Sequence, residues 1–113
     1  VGRSPQMYIW GDFYLYSKIS KIQYNFSMMH YVYVLKDRFG KLYIGYTSNL
    51  KKRLQEHARG KSKYLSLRRP VKLIYYEAYL SEVDAKERER KLKKFKNVYS
   101  GLKSRIKNSL KIS

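Results

Sequence analysis

Two short runs of β-branched and aromatic residues, set close together, constrain this chain more than anything else in it. Tyr31-Val32-Tyr33-Val34-Leu35 and Leu42-Tyr43-Ile44-Gly45-Tyr46 read as strands, and the polar stretch around Asp37, Arg38 and Gly40 reads as the turn of a hairpin. If Leu35 pairs with Lys41 across a five-residue loop, Val32 and Val34 face Ile44 and Leu42 on one apolar side. Tyr33 then stands directly opposite Tyr43 on the other side.

The elements that follow are punctuated by their own signals. Thr47, Ser48 and Asn49 offer N-caps, Leu50, Leu54 and Ala58 make an apolar stripe, and Gly60 is a C-terminal stop, so a helix is expected over 48–59. Arg53 and His57 are spaced i, i+4 and share one flank of it. The stretch Gly60-Lys61-Ser62-Lys63 reads as a basic loop, and 71–80 as a third strand begun by Pro70. Ser81 with Asp84 resembles a capping box for a helix over 82–95, whose inward stripe is Ala85, Glu89, Leu92 and Phe95. A last helix is expected over 99–110, with Leu102, Ile106 and Leu110 on one side. The expected class is α/β (α+β type): a small three-stranded antiparallel-type sheet flanked by helices.

Charge narrows the partners. Lys and Arg number 26 against 8 Asp and Glu, a formal net charge of +18, which argues for a polyanion because each neutralised phosphate releases counterions. A membrane-surface protein would gather its charge on one basic amphipathic helix, whereas here it is spread over several elements. There is no cysteine, which excludes disulfides and a thiolate zinc site. No uncharged apolar run reaches the ~18 residues of a membrane span. The expectation is a cytoplasmic protein that binds nucleic acid and no membrane.

The chain divides near residue 29. All but three of the basic residues and all but one of the acidic ones lie from His30 onward, while 1–29 carries Trp10, two Phe and four Tyr without a sustained period. Met28 and Met29 directly precede the first clean strand. We expect 1–29 to be an extension outside the domain, upstream sequence read through from an alternative start, and 30–113 to be the domain. The alternative is an aromatic arm that packs on the domain.

Glu89 is the informative residue, because an unpaired carboxylate on a buried stripe is costly and needs a cation, a metal or strong donors. A structural ion pair with a neighbouring Lys or Arg would serve equally well.

Taken together, these residues resemble the GIY-YIG nuclease superfamily. Tyr31-Val32-Tyr33 and Tyr43-Ile44-Gly45 are similar to its paired motifs, Arg53 and His57 match the helix after the second motif, and Glu89 matches the acidic residue of the next helix. The run Arg69-Pro70-Val71-Lys72-Leu73-Ile74-Tyr75-Tyr76-Glu77 is similar to the small stand-alone branch related to the nuclease domain of the bacterial excision-repair machinery. The resemblance covers about residues 30–96, with a weaker fit to 110. Tyr31 stands where the family name has Gly, and Asn97 does not align clearly with the family's late Asn, so it is left out of the site.

The resemblance implies a GIY-YIG fold and a metal-dependent endonuclease acting on nucleic acid, DNA in the first instance, in repair or recombination. It implies that Glu89 holds one divalent cation, Mg²⁺ or Mn²⁺, a hard ion suited to one carboxylate with waters and phosphate oxygens. Tyr33 would be the general base or relay, for which its phenol, titrating near ~10 unperturbed, must be lowered. Tyr43 would orient phosphate or water, Arg53 would grip two phosphate oxygens, His57 would share proton transfer, and Gly45 would permit a close approach. Lys52, Arg53, Lys61, Lys63, Arg68 and Arg69 are the expected phosphate contacts. The alternatives are a packed helix-flank histidine for His57, cross-strand packing for the tyrosines, and, for the whole chain, a non-catalytic nucleic-acid-binding module on the same fold.

Overall fold

A computed structural model describes residues 28–113. The 1–29 extension therefore falls, but for its last two residues, outside the described residues. The elements are β1 (His30–Lys36), β2 (Leu42–Thr47), α1 (Leu50–Ala58), α2 (Lys63–Ser66), β3 (Lys72–Tyr79), α3 (Glu82–Lys94), α4 (Lys96–Arg105) and α5 (Lys107–Ile112). The three strands form one antiparallel sheet in the order β2-β1-β3.

β1 sits in the middle because its sequence is apolar on both faces. Val32 and Val34 pack with Ala85 and Leu92 of α3 and with Leu102 and Ile106, while Tyr33 and Leu35 pack with Leu65, Leu50 and Leu54 on the other side. All four of these β1 residues are buried. β3 carries a bulge opposite Val34 and Leu35, which pair with Tyr75 and Leu73. Ile74, the extra residue, thereby joins Tyr75 on the α3 side. On that side Glu77 accepts from Tyr75, Tyr79 and the Arg88 guanidinium of α3. Burial pushes its carboxyl up, but Arg88 and the two phenols outweigh burial and hold it below the usual range. α3 is clamped to the sheet by this pair.

The hairpin register differs from the expected one by two residues. Lys36 pairs with Leu42, Val34 with Ile44, and Tyr33 with Gly45, not with Tyr43. A slide of two leaves each side chain on its face, so the apolar pattern is satisfied by either register, and Tyr33 and Tyr43 still share a face. The turn decides between them. The Asp37 carboxylate accepts from the backbone N–H groups of Phe39 at 2.8 Å and Lys41 at 2.9 Å, and Gly40 takes a positive φ of 88°. The loop is therefore 37–41 and not 36–40.

Three helical details also differ. The stretch read as a basic loop contains the short helix α2. The single last helix is two, broken at Ile106 (φ −108°, ψ 24°). Phe95 leaves the inward stripe because it lies past the end of α3 in extended backbone (φ −109°, ψ 118°), and it is exposed. The expected caps hold: Asn49 accepts from the Lys52 N–H and Ser81 from the Asp84 N–H. Among the described residues no helix is long and apolar enough to cross a membrane.

Candidate active site

Gly45 makes the site possible. The Tyr33 ring lies over it: a Cβ built on Gly45 would fall 2.9 Å from Tyr33 Cε1 and closer still to Cζ and the hydroxyl oxygen. The close approach that the glycine permits is that of the Tyr33 ring. Without a side chain beneath it, the phenol crosses the edge strand β2 and presents its oxygen to α1.

Two residues of α1 meet that oxygen. Arg53 Nε donates to it at 3.4 Å, and His57 Nε2 lies 3.3 Å from it. Both distances are at the long end for hydrogen bonds, as is common before substrate is seated. The i, i+4 spacing that put Arg53 and His57 on one flank of the helix brings both to one atom. Arg53 also pairs with Glu56 at 3.3 Å, and its guanidinium is about half exposed. The bond to Tyr33, followed by that to Glu56, raises its pKa, so it stays charged. His57 is buried, and its Nδ1 has no partner. Burial, then the adjacent Arg53 charge, push the imidazole below its usual pKa. With Arg53 donating to the phenol oxygen, the phenol's own proton is free to point at a neutral His57 Nε2.

That shift has a measurable consequence. A histidine that is harder to protonate in the folded protein keeps its acceptor nitrogen below the usual pH of about 6.5. The acid limb of cleavage kcat/KM should thus fall below pH ~6.5, and His57→Gln should remove it. By the same linkage, His57 withdraws stability as pH falls from ~6.5 through its lowered pKa. A limb centred above 6.5, or one unchanged in the Gln variant, contradicts this role.

The other expected residues are placed apart. Tyr43 shares the Tyr33 face, but its hydroxyl donates to Asp37 Oδ2 at 2.8 Å. Burial and that bond push the Tyr43 phenol up, so it is a donor and a poor base. Glu89 lies on α3, between buried Ala85 and Leu92, with its side chain 22% exposed and paired to Lys93 Nζ at 2.9 Å. α3 covers the Val32/Val34 face, so the sheet separates Glu89 from Arg53 and His57. Its charge is felt by Tyr46 on β2, whose phenol is raised first by burial and then by Glu82, with Glu89 adding to it. Glu89 and Tyr33 thus both address β2, one from each face.

Lys52, Lys61 and Lys63 are exposed. Arg68 is not a free phosphate ligand as expected: its Nε donates to Asp37 Oδ2 at 2.5 Å. Arg69 is tied down as well, donating to the Ser66 carbonyl at 3.0 Å and the Ala58 carbonyl at 3.3 Å. Asp37 was missed as a site-shaping residue. Its position at the first residue of a tight turn was the available signal, since Asp there bonds the backbone ahead of it. Burial pushes its carboxyl up, but Arg68, Tyr43 and the two amides outweigh burial and hold it well below the usual carboxylate range.

Among the described residues no three His, Asp or Glu side chains stand close enough to cage a metal ion. That donor set suits Mg²⁺ or Mn²⁺ held by one carboxylate with water and phosphate oxygens, and it does not suit zinc or a calcium cage.

This site has the form of a phosphodiester-cleaving centre, and the comparisons agree. Residues 29–103 match the GIY-YIG catalytic domain. The chain belongs to the GIY-YIG family, a family of nucleases. It is similar to a UPF0213 protein of Bacillus pumilus, 48% identical over 65 residues that make up 57% of this chain and 66% of that protein, just under two thirds of its length. It is also similar to a UPF0213 protein of Staphylococcus haemolyticus, 45% identical over 67 residues, 58% of this chain and 82% of that one. The solution NMR structure of a UPF0213 protein from Bacillus halodurans, 35% identical, superposes with a TM-score of 0.46, covering 68% of this chain and 84% of that one.

Proposed function

We propose that this chain is a divalent-metal-dependent endonuclease that hydrolyses phosphodiester bonds in DNA. The observation that carries the reading is the hydrogen-bonded series Arg53, Tyr33, His57, cleared by Gly45. Binding alone requires no buried imidazole with an acceptor nitrogen aimed at a phenol.

The residues divide the work as follows. Tyr33, with its proton held toward His57 Nε2, accepts a proton from the attacking water while His57 takes the phenolic one. The Arg53 Nε–H stabilises negative charge on the Tyr33 oxygen, and its half-exposed terminal nitrogens grip the phosphate. Glu89, reaching β2 from the other face, is the carboxylate that would hold Mg²⁺ or Mn²⁺; to do so it exchanges Lys93 for the cation. When bound, the ion supplies charge stabilisation on the phosphate and acidifies a coordinated water. Tyr43 holds the hairpin that carries Gly45 and so keeps the phenol's path open. Lys52, Lys61 and Lys63 border the Arg53 side and meet the flanking phosphates.

The test is single-turnover cleavage of branched, duplex and single-stranded DNA and RNA, with Mg²⁺, Mn²⁺ or EDTA, for wild type and Tyr33→Phe. The variant loses only a hydroxyl. It should keep wild-type DNA affinity and melting temperature while cleavage falls about 100-fold or more, the range for general acid–base groups. Wild-type cleavage by the Phe variant, or cleavage undiminished by EDTA, overturns the mechanism. Binding to every substrate with cleavage of none would leave the non-catalytic module as the better account.

A further inference from the structure

The tip of the β1–β2 hairpin has an unusual surface. Phe39 is 61% exposed and Tyr64, on α2, is 55% exposed. The guanidiniums of Arg38 and Arg68 each lie 4.8 Å from the centroid of the Phe39 ring. Lys41 Nζ lies 5.5 Å from the Tyr64 ring and donates to its hydroxyl at 3.2 Å. Cations and aromatic rings therefore alternate across the patch. Its carboxylate, Asp37, is spent inward on two amides, Tyr43 and Arg68. Arg38, Lys41 and Lys63 have no acidic partner among the described residues.

The patch is rigid and continuous with the site. The Arg38 N–H donates to the Arg68 carbonyl at 3.1 Å, joining the tip to the end of α2. Tyr43 packs edge-on against Tyr64 with centroids 5.8 Å apart, and it shares the Tyr33 face. Lys41 is four residues along β2 from Gly45, about 13 Å at the ~3.3 Å rise of a strand.

We propose that this hairpin tip is a second nucleic-acid contact, seating the strand that flanks the scissile phosphate on Phe39 and Tyr64 with Arg38 and Lys41 on its phosphates. The proposal rests on the nuclease reading for where the scissile phosphate lies. Exposed rings accept the face of a base or sugar whatever its sequence, and the unpaired cations beside them fit the phosphates on either side. A second copy of the chain fits poorly, because it would bring its own large positive charge against these cations.

The experiment measures binding in EDTA, so that it reads the patch without cleavage. Fluorescence anisotropy is taken with full-length protein on labelled oligonucleotides of increasing length, for wild type, Phe39→Ala and Arg38→Gln. Both side chains are exposed, and melting temperatures should match wild type. Phe39→Ala should lower affinity for long oligonucleotides about tenfold, leave short ones unchanged, and keep the salt dependence. Arg38→Gln should weaken long ones too and reduce the salt slope by about one. Wild-type binding of long oligonucleotides by both variants overturns the proposal, as does equal loss on short and long ones. A wild-type dimer that Phe39→Ala converts to a monomer also overturns it, in favour of self-association. Failure of the nuclease reading looks different: length-dependent binding would persist while no metal supports cleavage.

Discussion

Replacing Glu89 by glutamine lowers single-turnover cleavage about 1,000-fold, the scale on which a charge stabiliser of the transition state is lost, while leaving the protein folded. Size is kept and charge is removed. The ion pair to Lys93 is an i, i+4 contact with a largely exposed lysine, and such pairs contribute only about 0.3–0.5 kcal/mol. The melting temperature should therefore move little. DNA affinity should hold or rise, because one negative charge leaves a surface that meets phosphate. A purely structural role predicts the reverse: a lower melting temperature and unchanged cleavage per folded molecule. Mg²⁺ should also raise the melting temperature of wild type and not of the Gln variant, since a ligand that binds only the folded state stabilises it. Wild-type cleavage from a well-folded Gln variant would remove Glu89 from the site.

Gly45→Ala should damage stability and catalysis together. The added Cβ meets the buried Tyr33 ring, not the loose end of a surface side chain. Leu35 and Leu65 pack around that ring, so it cannot swing clear without opening the core on that face. An overpacked core costs about 1–3 kcal/mol. The forced displacement also pulls the hydroxyl from both His57 and Arg53, and a misplacement of about 1 Å can cost 100-fold in rate. Thermal melts and single-turnover rates on the Ala variant test both halves. An alanine that changes neither would mean that the ring does not depend on this clearance.

How far these features were legible in the chain depends on the scale of the signal. β1 and β2 were legible because alternation assigns each residue a face, and Tyr33 and Tyr43 do share one. The slide of the hairpin was not, since moving two residues preserves every face; only Asp37 bonding the amides of Phe39 and Lys41 distinguishes the two registers. Helix starts were legible in Asn49 and Ser81, whose side chains cap locally. The break at Ile106 was hidden by the unbroken period of Leu102, Ile106 and Leu110, and the four residues of α2 are too few to show a period at all. Within the site, the meeting of Arg53 and His57 followed from helical spacing. What could not be read was that Arg68, outwardly one more basic residue, is consumed by Asp37, a partner 31 positions earlier in the chain.

The sheet is one strand thick between its two cores, and β1 is the partition. Val32 and Val34 belong to the α3 side, while Tyr33 and Leu35 alternate with them on the α1 side. Adjacent residues of a strand share a backbone, so slack on one side becomes movement on the other. A hole opened at Ala85 or Leu92, neither of which approaches the phenol, lets β1 settle toward α3 and carries the Tyr33 oxygen away from His57. The mutational footprint of this small domain should therefore extend through the sheet to residues that never face the substrate.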